Sequence, residues 1–128
     1  DTNHLPNDAD EIAPDGSEVR LLLTLDSGGM ADLTIPAGHT IRAVRHQTVE
    51  EIWYIVSGRG DMGRSLGDAE SVVTLEPGLA LSIPVGTTFQ VKNTGTDDIC
   101  VVGQTMPPWP GNDEAIVCEG PWPPTLGP

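Results

Sequence analysis

Apolar and polar residues alternate along the chain in short runs divided by glycine and proline, and the two-residue period is that of β-strands. Runs of this kind predict strands over 19–25, 30–35, 40–46, 52–56, 72–75, 79–83, 88–92 and 99–106. In the first, Val19, Leu21, Leu23 and Leu25 alternate with Arg20, Leu22 and Thr24. Turn signals stand between the runs: Ser27-Gly28-Gly29, Pro36-Ala37-Gly38, Gly58 and Gly60, Pro77-Gly78, Pro84-Val85-Gly86 and Asn93-Thr94-Gly95. No stretch carries a 3.6-residue period. Many short strands at even spacing predict an all-β sandwich or barrel rather than an α/β fold. Residues 1–17, polar and interrupted by Pro6, Pro14 and Gly16, read as an irregular N-terminal arm before a strand-rich body at 18–106. Residues 107–128 form a Pro/Trp-rich tail expected to pack on the barrel. Pro107, Pro108, Pro110, Pro121, Pro123 and Pro124 are expected to keep any regular ladder out of it.

Strand parity sorts the side chains into inward and outward sets. Arg42, Val44 and His46 share one face of their strand, Glu51, Trp53 and Ile55 share one face of the next, and Phe89 pairs with Val91. If His46 points inward, the interior is mostly apolar with one imidazole and one carboxylate, and Glu50 faces solvent. His46 and Glu51 are the candidate catalytic pair. Arg42, Val44, Trp53 and Phe89 are the candidate ligand-binding residues: Arg42 as an anchor for an anionic group, Trp53 as a stacking surface.

Composition narrows the partners. With 19 Asp and Glu against 6 Lys and Arg, the formal charge is -13. Phosphate backbones and anionic lipid recruit basic patches, so nucleic acid is not expected as a partner. No apolar run approaches the roughly 18 residues of a membrane span, so no membrane partner is expected, and the N-terminal residues lack a signal pattern. A cytoplasmic location is the expectation, with a processed leader left open. Cys100 and Cys118 are one pair, too few for a disulfide framework, and are expected to be reduced.

Residues 38–93 carry two spaced motifs. Gly38, Val44, His46, Glu51 and Gly58 fall at the positions of a glycine, five residues, His-x-His, a glutamate and a closing glycine; Val44 stands at the first histidine. Gly78, Pro84, Gly86 and Asn93 fit a second pattern, glycine, five residues, Pro-x-Gly, two residues, histidine, three residues and asparagine, with Phe89 at the histidine. In these motifs the chain resembles the cupin superfamily. The resemblance implies a cupin-type double-stranded β-helix, or jelly-roll, barrel over 18–106, a small organic ligand in its interior and, as is common among cupins, a homodimer.

It also implies a metal site of which His46 and Glu51 alone remain, because Val44 and Phe89 have no donor atoms. A catalytic transition-metal site takes about three protein ligands. No cofactor is therefore expected, a divalent transition metal on His46 and Glu51 being the alternative. Three functions follow. His46 and Glu51 could move protons next to a carbonyl without metal, the carboxylate raising the basicity of the imidazole, in an isomerase, epimerase or lyase. Cupin sugar-nucleotide epimerases are similar in using such a dyad. The barrel could instead bind a small ligand without chemistry. It could also be an oxygenase-like metal-dependent cupin with non-standard ligands.

Overall fold

The computed structural model describes residues 1–126. Gly127 and Pro128, the end of the tail expected over 107–128, lie outside the described residues. The strands, in chain order, are β1 (Glu11–Ile12), β2 (Glu18–Leu25), β3 (Gly28–Ile35), β4 (Ala43–His46), β5 (Glu50–Ser57) and β6 (Gly60–Leu66). They continue with β7 (Ala69–Leu75), β8 (Ala80–Ile83), β9 (Thr88–Asn93), β10 (Ile99–Met106) and β11 (Ala115–Cys118). One sheet runs β1-β2-β3-β10-β5-β8 and the other β11-β4-β9-β6-β7. The pairings are antiparallel. The chain is thus all-β, a jelly-roll barrel of two facing sheets, as the strand pattern and the motif resemblance predict.

The alternation in β5 shows why these residues make strands. Glu51, Trp53 and Ile55 are buried while Glu50, Ile52, Tyr54 and Val56 are exposed. One face of the strand therefore joins the core, and the inward and outward assignments of Glu51 and Glu50 hold. The motif glycines Gly38, Gly58, Gly78 and Gly86 all sit at positive φ, between 73° and 92°. That conformation strains any residue with a Cβ, so the four glycines mark turns rather than chemistry. At Gly58 a Cβ would also run into the backbone of Asp98 and Ile99.

Four expectations need correction. The tail does contain a ladder strand: β11 pairs with β4, Ala115 opposite His46 and Val117 opposite Val44. Residues 111–120 are free of proline and include the β-prone Ala-Ile-Val-Cys stretch, so the flanking prolines bound the strand instead of forbidding it. The N-terminal arm likewise gives two residues to β1, which pairs with β2. Strand β6, whose Asp61, Gly63, Arg64 and Ser65 have weak strand propensity, is held by pairing with both β7 and β9. In β2 the register shifts between Leu21 and Leu23, and such a bulge reverses parity. Val19 is buried, but Leu23 and Leu25 are exposed and Thr24 faces the interior cavity.

The tail continues past β11 over the outside of the second sheet. Gln90, 1% exposed, donates from Nε2 to the Trp122 and Ile41 carbonyls and accepts from the Trp122 N–H. Thr125 Oγ1 then accepts from the Thr40 N–H.

Candidate functional site

His46 is the last residue of β4 and Glu51 the second of β5, so a short turn over 47–49 decides how the two approach each other. That turn is held by Glu114, which lies just before β11. The Glu114 carboxylate accepts from the backbone N–H groups of Thr48 and Val49 and from the Thr48 hydroxyl. The Glu114 carbonyl accepts from the Gln47 N–H. Glu114 is 6% exposed, a buried carboxylate satisfied by donors. The tail therefore fixes the turn that places the catalytic candidates.

These side chains face a cavity of about 320 Å³ at one end of the barrel. Its wall includes His46, Glu51, Trp53 and Phe89 from the strands, Asp15 and Ser17 from the arm, and Trp109 from the tail. Ring contacts tie the wall together: His46 meets Trp109 at 5.0 Å and Phe89 at 5.3 Å between centroids, and Trp53 meets Phe89 at 5.7 Å. Gly103 lies opposite Trp53 in the β10–β5 pairing, and a Cβ there would stand 3.5 Å from Trp53 Nε1. The missing side chain leaves room beside the indole.

His46 Nδ1 lies 3.3 Å from Glu51 Oε2, both residues being buried. At that distance the angles make no hydrogen bond, and His46 Nδ1 and Trp53 Nε1 are both buried without a partner. Burial lowers the His46 pKa from 6.5 to about 4, against the upward pull of Glu114. Burial raises Glu51 to about 8; the nearby Trp53 N–H, which favours the carboxylate without meeting hydrogen-bond geometry, opposes this and the charge of Asp15 adds to it. Asp15 is also pushed up by burial, although its Oδ1 accepts from the Ser17 N–H and hydroxyl. Glu114 is held low: burial pushes it up, but the Thr48 and Val49 donors and the His46 ring prevail. The expectation that the carboxylate would raise the basicity of the imidazole is thus corrected. Loss of hydration dominates, because in an apolar cavity each group favours its uncharged form.

The structure lines the cavity with His46, Glu51, Trp53 and Phe89 and leaves the other two candidates outside its described wall. Val44, 1% exposed, is packed in the core across from Phe89 and is not part of the cavity wall formed by the described residues. Arg42 lines an outer hollow with Gln90, Gly120 and Pro121 instead of the barrel interior. Its parity with His46 fails because regular pairing starts only at Ala43: Ile41 and Val44, three positions apart, both enter the core. Sequence reasoning missed Asp15, Trp109 and Glu114. The Asp15-Gly16-Ser17 turn and the placement of Trp109 among prolines were visible signals, but neither reveals which surface the segment meets.

Among the described residues, no group of three or more His, Cys, Asp and Glu side chains is arranged to hold a metal ion. His46 and Glu51 supply two donors and Phe89 fills the wall beside them, so the residues present do not fit a transition-metal centre.

Fold and cavity together define a double-stranded β-helix barrel with a ligand-sized pocket at one end. The chain belongs to the cupin family: the family model described as Cupin domain matches residues 31–103. Among curated proteins it is similar to the uncharacterized protein MJ1618 of Methanocaldococcus jannaschii, 31% identical over 111 residues, covering 83% of this chain and 86% of that one. Among solved structures it is similar to the capsular polysaccharide assembling protein CapF of Staphylococcus aureus, with a TM-score of 0.74, 19% identity, and 93% of this chain but 35% of that one covered. The chain thus spans about a third of CapF. An uncharacterized double-stranded β-helix protein of Klebsiella pneumoniae aligns with a TM-score of 0.66, 18% identity and coverage of 81% and 85%. Oxalate decarboxylase of Bacillus subtilis aligns with a TM-score of 0.68, 16% identity and coverage of 83% and 28%. These structural likenesses show the fold.

Proposed function

We propose that the barrel binds a small organic molecule in its cavity and moves a proton on it without metal, His46 accepting and Glu51 donating. The observation that carries this reading is the buried His46–Glu51 contact at 3.3 Å, with the two pKa values displaced in opposite directions. At neutral pH the imidazole is then the free base and the carboxyl holds its proton. Paired groups whose environments push them apart in this way supply the base and the acid of a proton-transfer reaction. On a carbonyl compound, His46 takes a proton from the carbon beside the carbonyl while Glu51 gives its proton to the carbonyl oxygen, leaving a neutral enol. Return of a proton to carbon completes an isomerisation or epimerisation. The apolar wall keeps bulk water from quenching the enol.

Incubation with a panel of small ketones in heavy water, followed by proton NMR, tests this reading. The expected result is deuterium entering at the carbon beside the carbonyl, unaffected by a chelator and slowed about a hundredfold or more in His46→Ala and Glu51→Gln. Exchange no faster than in those variants would leave a barrel that only binds its ligand. Exchange abolished by the chelator and restored by a divalent metal would favour a metal-dependent cupin with ligands outside the two motifs.

A further inference from the structure

Proton transfer by His46 and Glu51 leaves much of the cavity wall unexplained. Glu11, Asp15 and Glu51 line the space, and its described lining holds no Lys or Arg. A site for an anionic ligand would carry the opposite charge. Trp53, Phe89, Trp109 and His46 bring aromatic rings to the wall. Their planes meet at 67° for His46 with Trp109, 85° for His46 with Phe89 and 83° for Trp53 with Phe89. These edge-to-face contacts pack His46, Trp53 and Phe89 into the wall, and Trp109, only half-buried, is the ring most open to the space. Carboxyl groups beside an aromatic ring are the chemistry that recognises organic cations.

The unpartnered atoms point to the ligand's other end. Trp53, 2% exposed, has an indole N–H that makes no hydrogen bond, the nearby Glu51 carboxyl lying outside hydrogen-bond geometry, beside the gap left by Gly103. An indole nitrogen can only donate, so its missing partner is an acceptor such as an oxygen. The cavity volume of about 320 Å³ lies at the small end of the roughly 300–1,000 Å³ seen for ligand pockets.

We propose that the cavity takes a small organic ammonium compound that also carries an oxygen acceptor. Its cationic end lies against Asp15, Glu11 and the aromatic wall, and its oxygen accepts from Trp53 Nε1. The inference rests on the same cavity as the proton-transfer reading and names the charge class of its substrate. A cation beside Asp15 offsets the burial that pushes its pKa up, so Asp15 supplies the counter-charge and Glu51 remains free to hold the proton it donates. The net charge of -13 draws cations toward the protein in the same sense.

Calorimetric titration at neutral pH with choline, with its neutral isostere in which a quaternary carbon replaces the nitrogen, and with trimethylacetate tests the charge preference. Choline is expected to bind about tenfold or more tightly than the isostere, and trimethylacetate most weakly. Asp15→Asn, which keeps the oxygen that accepts from Ser17, is expected to remove most of the choline preference while isostere binding persists. Glu11→Gln, at the half-buried edge, is a second variant and is expected to reduce the preference less. An isostere that binds as tightly as choline, or a preference unchanged in both variants, overturns the proposal. So does a failure of choline, ethanolamine and tetramethylammonium all to bind at millimolar concentration. These measurements need no turnover. A cation preference without deuterium exchange leaves this inference standing and removes the proton-transfer reading, whereas exchange on neutral ketones without a cation preference does the reverse.

Discussion

Along β10 the inward side chains run Ile99, Val101, Gly103, Thr105, and the barrel changes character on the way. Ile99 and Val101 are sealed in the core with Ile35, Ile55, Met62 and Val91, all at 0% exposure. Gly103 and Thr105 open on the cavity with Ala31 and Gly29 of β3 across from them. Small side chains at one end make the space that branched aliphatics fill at the other. The same strands and alternation thus produce a packed end, where each buried aliphatic contributes about 1.5–3 kcal/mol, and a hollow end, where titratable groups are dry but unfilled. A jelly roll can therefore hold its fold with one end and vary its chemistry at the other.

The contrast can be broken most directly by truncating each end. Ile55→Ala is expected to cost about 2–5 kcal/mol in chemical denaturation, since it leaves a void in close-packed surroundings. Thr105→Ala, which enlarges an existing cavity, should cost about 1 kcal/mol or less. Equal losses at the two sites would erase the distinction between packed and hollow ends.

Glu51→Gln sharpens the comparison by isolating the cost of a dry carboxyl. Folded Glu51 keeps its proton up to about pH 8, while in the unfolded chain it releases it near 4.5. The unfolded state therefore binds fewer protons between these values, and wild-type stability falls as pH rises. His46 acts in the opposite sense lower down: its folded pKa of about 4 makes stability fall as pH drops from about 6.5. Denaturation curves between pH 6.5 and 8 thus separate the two. Glu51→Gln should flatten the decline, amounting to a gain on the order of a few kcal/mol relative to wild type across the full window. A variant curve parallel to wild type would show that Glu51 is ionised throughout.

Glu114→Gln addresses the turn that joins the two candidates. Loss of the charged acceptor for Thr48 and Val49 is expected to cost about 1–3 kcal/mol. Because Glu114 is the group that raises the His46 pKa, the His46 NMR titration should move still lower. The smallest change is expected from Asp15→Asn, which should leave the fold intact and lower the Glu51 pKa, read by carbon-13 NMR of its carboxyl, because Asp15 helps raise it.

Much of the barrel was legible before the structure. Gly38, Gly58, Gly78 and Gly86 could be read as turns because a positive φ is a local demand that only glycine meets easily. His46, Glu51, Trp53 and Phe89 could be placed inside because parity is local to each strand and no bulge intervenes between Glu51 and Trp53. Parity failed where regular pairing stops or shifts, at Arg42 and at Leu23 and Leu25. Strand β6 was hidden because its pairing on both sides compensates for poor local propensity.

The strand pattern and the turn glycines are properties of neighbouring residues, so the sequence alone was enough to specify an all-β barrel and to put His46 and Glu51 on inward faces. The company of that pair is a long-range matter. Asp15 precedes Glu51 by 36 positions and Glu114 follows His46 by 68, and no local rule ties such distant segments together. Only closure of the two sheets, with the arm over the cavity and the tail stitched to β4, set these charges beside one another. That closure also buried the pair, and burial favours the uncharged form of each group.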